Sequence, residues 1–147
     1  MIFLDTTVLV YAVGDEHPLR GPATSIIAAI GDGRLAATTT VEVLQEFAHV
    51  RARRRSRPDA AAVCRDLITL LTPLTPVTAA DLSSGLDLFE RHAEIGCFDA
   101  VLAAVARRTG ATLVSADRGF ASVLGDGFRD LAEAANGSTD PRSEHPR

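Results

Sequence analysis

Four carboxylates stand where a side chain can reach a ligand. Asp5 ends the apolar run Ile2-Phe3-Leu4, Asp117 follows Thr112-Leu113-Val114-Ser115, Asp99 opens a helix-like apolar stretch, and Glu46 sits beside the helical stripe Val43, Leu44, Phe47 and Val50. In an open α/β sheet, residues just past the carboxyl ends of strands face the ligand crevice, which singles out Asp5 and Asp117. Carboxylates packed together repel, and one or more is protonated at neutral pH unless a cation holds them. An oxygen-only donor set selects Mg2+ or Mn2+ over zinc or copper. Such ions polarise phosphoryl oxygens and activate water, so hydrolysis of a phosphodiester is the chemistry these residues point to.

Each acid also has a plainer reading. Asp5 could be a helix N-cap, and Glu46 a solvated mid-helix side chain. Glu42, one turn before Glu46, has the capping-box spacing from Thr39 and is assigned to the first turn of its helix. Asp81, Asp87, Glu90 and Glu94 are read as a cap and a solvated face, with Thr78 capping through Asp81 and Asp87 pairing with Arg91. Glu46-x-x-His49 matches a di-iron helix spacing, but that architecture needs a second such pair and none exists here.

The elements that must position these acids follow from hydrophobic spacing and stop signals. Residues 2–4 predict a strand buried on both faces. A helix carrying Val8, Leu9, Tyr11 and Ala12 follows, capped by Thr6 or Thr7 and ended by Gly14. A second helix runs from Pro18 to the Gly31-Asp32-Gly33 turn, and 35–38 is the next strand. The Glu46 helix comes third, and a fourth opens at Pro58 and Asp59 and is broken by Thr72-Pro73-Leu74-Thr75-Pro76. A fifth spans 78–94 with Leu82, Leu86 and Phe89 inward. The Asp99 helix carries Val101, Leu102, Val105 and Ala106, with Arg107 and Arg108 at its negative end and Gly110 as its stop. A strand over 112–115, a short helix around Phe120 and Leu124, and an edge strand over 128–131 complete a domain of residues 1–135. The polar stretch 136–147 is expected to be disordered. Strands alternating with helices make this an α/β sandwich around a mainly parallel central sheet.

Composition narrows the function classes. All fifteen basic residues are arginine, which excludes any mechanism that needs a lysine, such as a Walker A loop or a Schiff base. Cys64 and Cys97 lack a CxxC spacing, arguing against a zinc site or disulfide framework and for a reducing cytoplasm. No Gly-x-Ser-x-Gly elbow supports a serine hydrolase. The short apolar run before Asp5 predicts neither secretion nor membrane insertion. The net charge of -4 argues against a broad polyanion-binding surface, yet residues 51–57 hold five arginines in seven positions. That cluster is either a solvated helix end or a phosphate-contacting patch, with Arg51, Arg53, Arg54 and Arg55 as the candidates.

Taken in order, Asp5-Thr6-Thr7-Val8-Leu9-Val10-Tyr11-Ala12, Val43-Leu44-Gln45-Glu46, Asp99-Ala100-Val101-Leu102-Ala103-Ala104 and Leu113-Val114-Ser115-Ala116-Asp117-Arg118-Gly119-Phe120 resemble the PIN-domain ribonucleases, particularly VapC toxins of toxin–antitoxin pairs. The resemblance implies a PIN-like sandwich and a metal-dependent endoribonuclease. Asp5, Glu46, Asp99 and Asp117 would be its catalytic and metal-binding acids, with Thr7 and Ser115 as polar support. It implies RNA as substrate, a homodimer, and a VapB-like antitoxin whose carboxy-terminal segment enters the active groove. Many members carry a further acid where Gly119 stands. Two alternatives remain beside it. A haloacid-dehalogenase-type phosphatase needs an aspartate two residues after Asp5 and a lysine, against which Thr7 and the lysine-free chain argue. A catalytically silent binding module would lose acids, and all four are present.

Overall fold

A computed structural model describes residues 1–134. The boundary at 135 and the polar stretch 136–147 lie outside the described residues. The strands are β1 (Ile2–Leu4), β2 (Ala37–Thr38), β3 (Thr112–Ser115) and β4 (Phe128–Asp130), ordered β2-β1-β3-β4 and parallel throughout. β1 and β3 are the inner strands. Phe3, Leu4, Leu113 and Val114 are fully shielded, which is why 2–4 and 113–114 read as unbroken apolar runs. Leu4 is aligned with Val114, and the Asp5 amide donates to the Val114 carbonyl at 3.1 Å, so pairing continues one residue past the strand.

The connection from β1 leads to one side, to β2, and the chain then crosses back to place β3 on the other. Strand order therefore reverses between β1 and β3. In parallel sheets the ligand crevice opens at the carboxyl end of such a switch point. Asp5 and Asp117 leave the sheet there.

The helices are α1 (Thr6–Ala12), α2 (Arg20–Gly31), α3 (Val41–Arg54), α4 (Arg57–Leu71), α5 (Ala79–Arg91), α6 (Cys97–Thr109), α7 (Gly119–Leu124) and α8 (Leu131–Ala134). α3 packs on α4, and α5 on α6. Ser56 caps α4 by accepting from the Asp59 amide, with Pro58 in the first turn. Gly110 ends α6 with φ +66°, a left-handed conformation in which any side chain is strained.

Three local expectations are corrected. The N-cap of α3 is Thr40, which accepts from the Val43 amide, whereas Thr39 donates its buried hydroxyl to the Leu4 carbonyl at 2.7 Å. The Thr39–Glu42 capping box therefore does not form, because tying the end of β2 to β1 takes the Thr39 hydroxyl. On α5, Leu82, Leu86 and Phe89 face outward, between 44 and 48% exposed, and the buried stripe is Asp81, Gly85 and Leu88. The reason is a close approach: a Cβ at Gly85 would stand 2.7 Å from the Val101 Cα, so only glycine lets α5 lie this near to α6. Asp81 forms the capping box with Thr78 that the spacing predicts, and the same packing also buries it against Arg108. Arg91 donates to the Asp87 carbonyl, not to its carboxylate.

Candidate active site

Asp5 occupies the N-cap position of α1 by backbone geometry, yet its carboxylate caps nothing. Its Oδ2 accepts from the Thr7 hydroxyl at 2.9 Å and from the Ser115 hydroxyl at 2.6 Å. The residue is only 3% exposed. The Ala116 amide donates to Thr7 Oγ1 and the Asp117 amide to Ser115 Oγ, so the two hydroxyls bind the end of β1 to the loop after β3. Thr7 and Ser115 thus stand where polar support of Asp5 requires them.

Asp117 is exposed, with Oδ1 accepting from the Gly119 amide at 2.8 Å. Asp99 lies in the first turn of α6, where the N-cap is Gly96 and has no side chain to engage it. Glu46, exposed on α3, is held by the Thr6 hydroxyl, which donates to Oε2 at 2.5 Å. Sequence reasoning missed that contact, having treated Thr6 as a helix cap and Glu46 as partnerless. The available signal was two consecutive hydroxyl-bearing residues opening α1, of which only one can turn toward Asp5.

Electrostatics ties the four acids together. Asp99 is raised to about 7, first by burial and then by the charges of Asp5, Asp117 and Glu46. Glu42 is absent from that set and instead lines an apolar groove with Thr40, Leu82 and Phe98. A half-protonated aspartate at neutral pH is what crowded carboxylates produce without a counter-charge. The donor set, all oxygen and of one sign, fits a hard divalent ion. Among the described residues no three such side chains are yet drawn together closely enough to hold one. Of the four, Glu46 and Asp117 are exposed.

Position 119 has no room for a further acid. A Cβ there would lie 2.9 Å from the Glu94 carbonyl oxygen and 3.1 Å from Asp117 Oδ1.

The arginine cluster divides. Arg51 is largely covered, donating to Asp59 at 2.6 and 3.2 Å and to the Val13 carbonyl at 2.6 Å. Arg55 pairs with Asp15. Arg53 and Arg54 are exposed and make no ion pair among the described residues.

Comparison with known proteins agrees with this geometry. Residues 2–125 match the family model of the PIN domain. The chain belongs to the PIN-domain family. It is 55% identical over 137 residues to ribonuclease VapC7 of Mycobacterium tuberculosis, covering 92% of this chain and 94% of that protein. It is 36% identical over 131 residues to ribonuclease VapC23 of the same species, covering 88% and 99%. The fold matches the crystal structure of Mycobacterium tuberculosis VapC20, described as a sarcin-ricin loop cleaving toxin, with a TM-score of 0.69 at 23% identity, over 84% of this chain and 95% of that chain.

Proposed function

We propose that this PIN domain is the toxin of a type II toxin–antitoxin pair, a cytoplasmic endoribonuclease hydrolysing RNA phosphodiester bonds with Mg2+ or Mn2+ held by Asp5, Glu46, Asp99 and Asp117. The observation that carries the reading is the raised Asp99, coupled to three other carboxylates at the switch point of a parallel sheet. When bound, the divalent ion supplies charge neutralisation at the phosphate and activation of water. The protein's own residues prepare for it. Thr7 and Ser115 fix the direction of Asp5, and Asp99, half-protonated near neutral pH, must be deprotonated to act as a ligand. Arg53 and Arg54 lie beyond Glu46 on the same helix, free to hold RNA phosphates, while Arg51 and Arg55 are committed to Asp59 and Asp15.

Its relatives carry VapC names, which implies a VapB-like antitoxin as partner. The outward stripe Leu82, Leu86 and Phe89, beside Phe98 and a groove of about 510 Å3, is the face we assign to a homodimer. Among the described residues no helix is long and apolar enough to cross a membrane.

The deciding experiment incubates the full-length protein with structured RNA in Mg2+, in Mn2+ and in EDTA, alongside Asp99→Asn. Cleavage that needs the metal and disappears in Asp99→Asn is expected. Cleavage persisting in EDTA, or undiminished in Asp99→Asn, overturns the reading. A small phosphate ester hydrolysed in preference to RNA would favour the phosphatase alternative.

A further inference from the structure

Thr6 and Thr7 are consecutive on the first turn of α1, and their hydroxyls go opposite ways. Residues one apart on a helix point about 100° from each other. Thr7 turns toward the sheet, donating to Asp5 and accepting from the Ala116 amide. Thr6 turns toward α3, forty positions along the chain, and donates to Glu46 Oε2 at 2.5 Å. That distance is typical of a hydroxyl on an ionised carboxylate. Elsewhere in a helix a threonine hydroxyl can bond the carbonyl three or four residues back. At the first helical position those carbonyls belong to β1 and lie outside the helix. With Thr6 only 7% exposed, solvent is not a ready substitute. Glu46 is the acceptor that the fold supplies.

Resting on the metal-dependent nuclease reading, we infer that Thr6 is a positioning residue for the metal site. It holds one oxygen of Glu46 and leaves the other free, so that the α3 acid is presented in a fixed direction relative to Asp5. The spacing of two acids from distant parts of the chain is thereby set by two adjacent hydroxyls on one helical turn. Glu46 needs this more than Asp5 does, being exposed on a long side chain. Partners that orient metal-binding carboxylates commonly contribute ten- to a hundredfold in metal affinity.

The test is a double-mutant cycle read by calorimetric titration of the full-length protein with Mn2+, supported by RNA cleavage kinetics. Thr6→Val preserves shape and removes the hydroxyl; Thr6→Ser restores it. About tenfold weaker Mn2+ binding is expected for Thr6→Val, with near-normal affinity for Thr6→Ser. The kcat of Thr6→Val should recover as Mn2+ is raised, and its KM for RNA should stay unchanged. In the Glu46→Gln background, Thr6→Val should add nothing. Should Thr6→Val not fold, Thr6→Ala carries the same expectations. Undiminished Mn2+ affinity in Thr6→Val, or an equal loss in both backgrounds, overturns the positioning role while leaving the nuclease reading intact. Wild-type Mn2+ binding and cleavage by Glu46→Gln would instead remove the nuclease site assignment, and the Thr6 proposal with it.

Discussion

Asp81 and Asp99 occupy the same position, the third of the first turn, on the adjacent packed helices α5 and α6. Their circumstances are opposite. Asp81 completes a capping box with Thr78 and receives Arg108 at 2.7 and 3.0 Å, and the Arg108 hydrogen bond leads in holding its carboxyl below the usual range. Asp99 has a glycine for a cap and three like charges for neighbours, and it is raised to about 7. One carboxylate accepts hydrogen bonds on both oxygens and holds two helices together. The other is left short of a counter-charge at the mouth of the sheet, where a cation and a phosphate can supply it. The helix position itself favours an acid in both cases. What separates the structural acid from the candidate functional one is what the neighbouring elements bring to it.

The largest expected effect breaks the comparison at Asp99. Asp99→Asn should lower kcat by about a thousandfold or more, the scale of losing several kcal/mol of charge stabilisation. Its metal-free melting temperature should hold or rise, because a repulsive charge is removed. The sign with pH follows from the raised value. The folded protein keeps a proton on Asp99 that the unfolded chain releases near 3.8, so this group's effect on stability worsens as pH climbs from about 4 to about 7, then levels. The melting-temperature advantage of Asp99→Asn over wild type should therefore grow between pH 5 and pH 8. A constant difference across that range would contradict the coupling.

Next in size is the pair on α3. Glu46→Gln should weaken Mn2+ affinity by at least about tenfold. Glu42→Gln should leave both cleavage and melting nearly unchanged, since Glu42 neither joins the acids nor closes a capping box with Thr39. An inactive Glu42→Gln with a normal Glu46→Gln would move the α3 ligand by one helical turn.

Asp81→Ala should do the reverse of Asp99→Asn. Losing the capping box alone costs about 1 kcal/mol, roughly 3 °C in melting temperature at this size, and the loss of Arg108 adds to it. Activity measured well below the melting point should be kept.

The smallest effects concern the arginines, which divide as the two aspartates do. Arg53→Gln with Arg54→Gln should raise KM for RNA a few-fold and flatten its salt dependence by roughly 0.7 in log–log slope per lost phosphate contact. Arg51→Gln should lower the melting temperature and leave the salt slope alone, because Asp59 and the Val13 carbonyl occupy that guanidinium. An unchanged slope in the Arg53, Arg54 double variant would remove them from the RNA surface.

Much of this was legible from residue order. Strand ends after buried apolar runs marked Asp5 and Asp117, and β3 falls on 112–115 as its apolar content and flanking glycine require. The stop at Gly110 and the α/β class likewise follow from local chemistry, which acts over a few residues and is written in consecutive positions. On α5, by contrast, 81, 85 and 88 and the next positions along, 82, 86 and 89, have the same helical spacing, and the larger side chains lie in the second set. Hydrophobicity alone chooses the second. The fold buries the first, because the Gly85 backbone meets Val101 and Asp81 meets Arg108, twenty-seven residues away. The partner of Glu46, the occupation of Arg51 and the displacement of the Thr39 cap were hidden for the same reason. Each depends on which distant group arrives first at a hydroxyl, a guanidinium or a carboxylate, and only tertiary packing decides that.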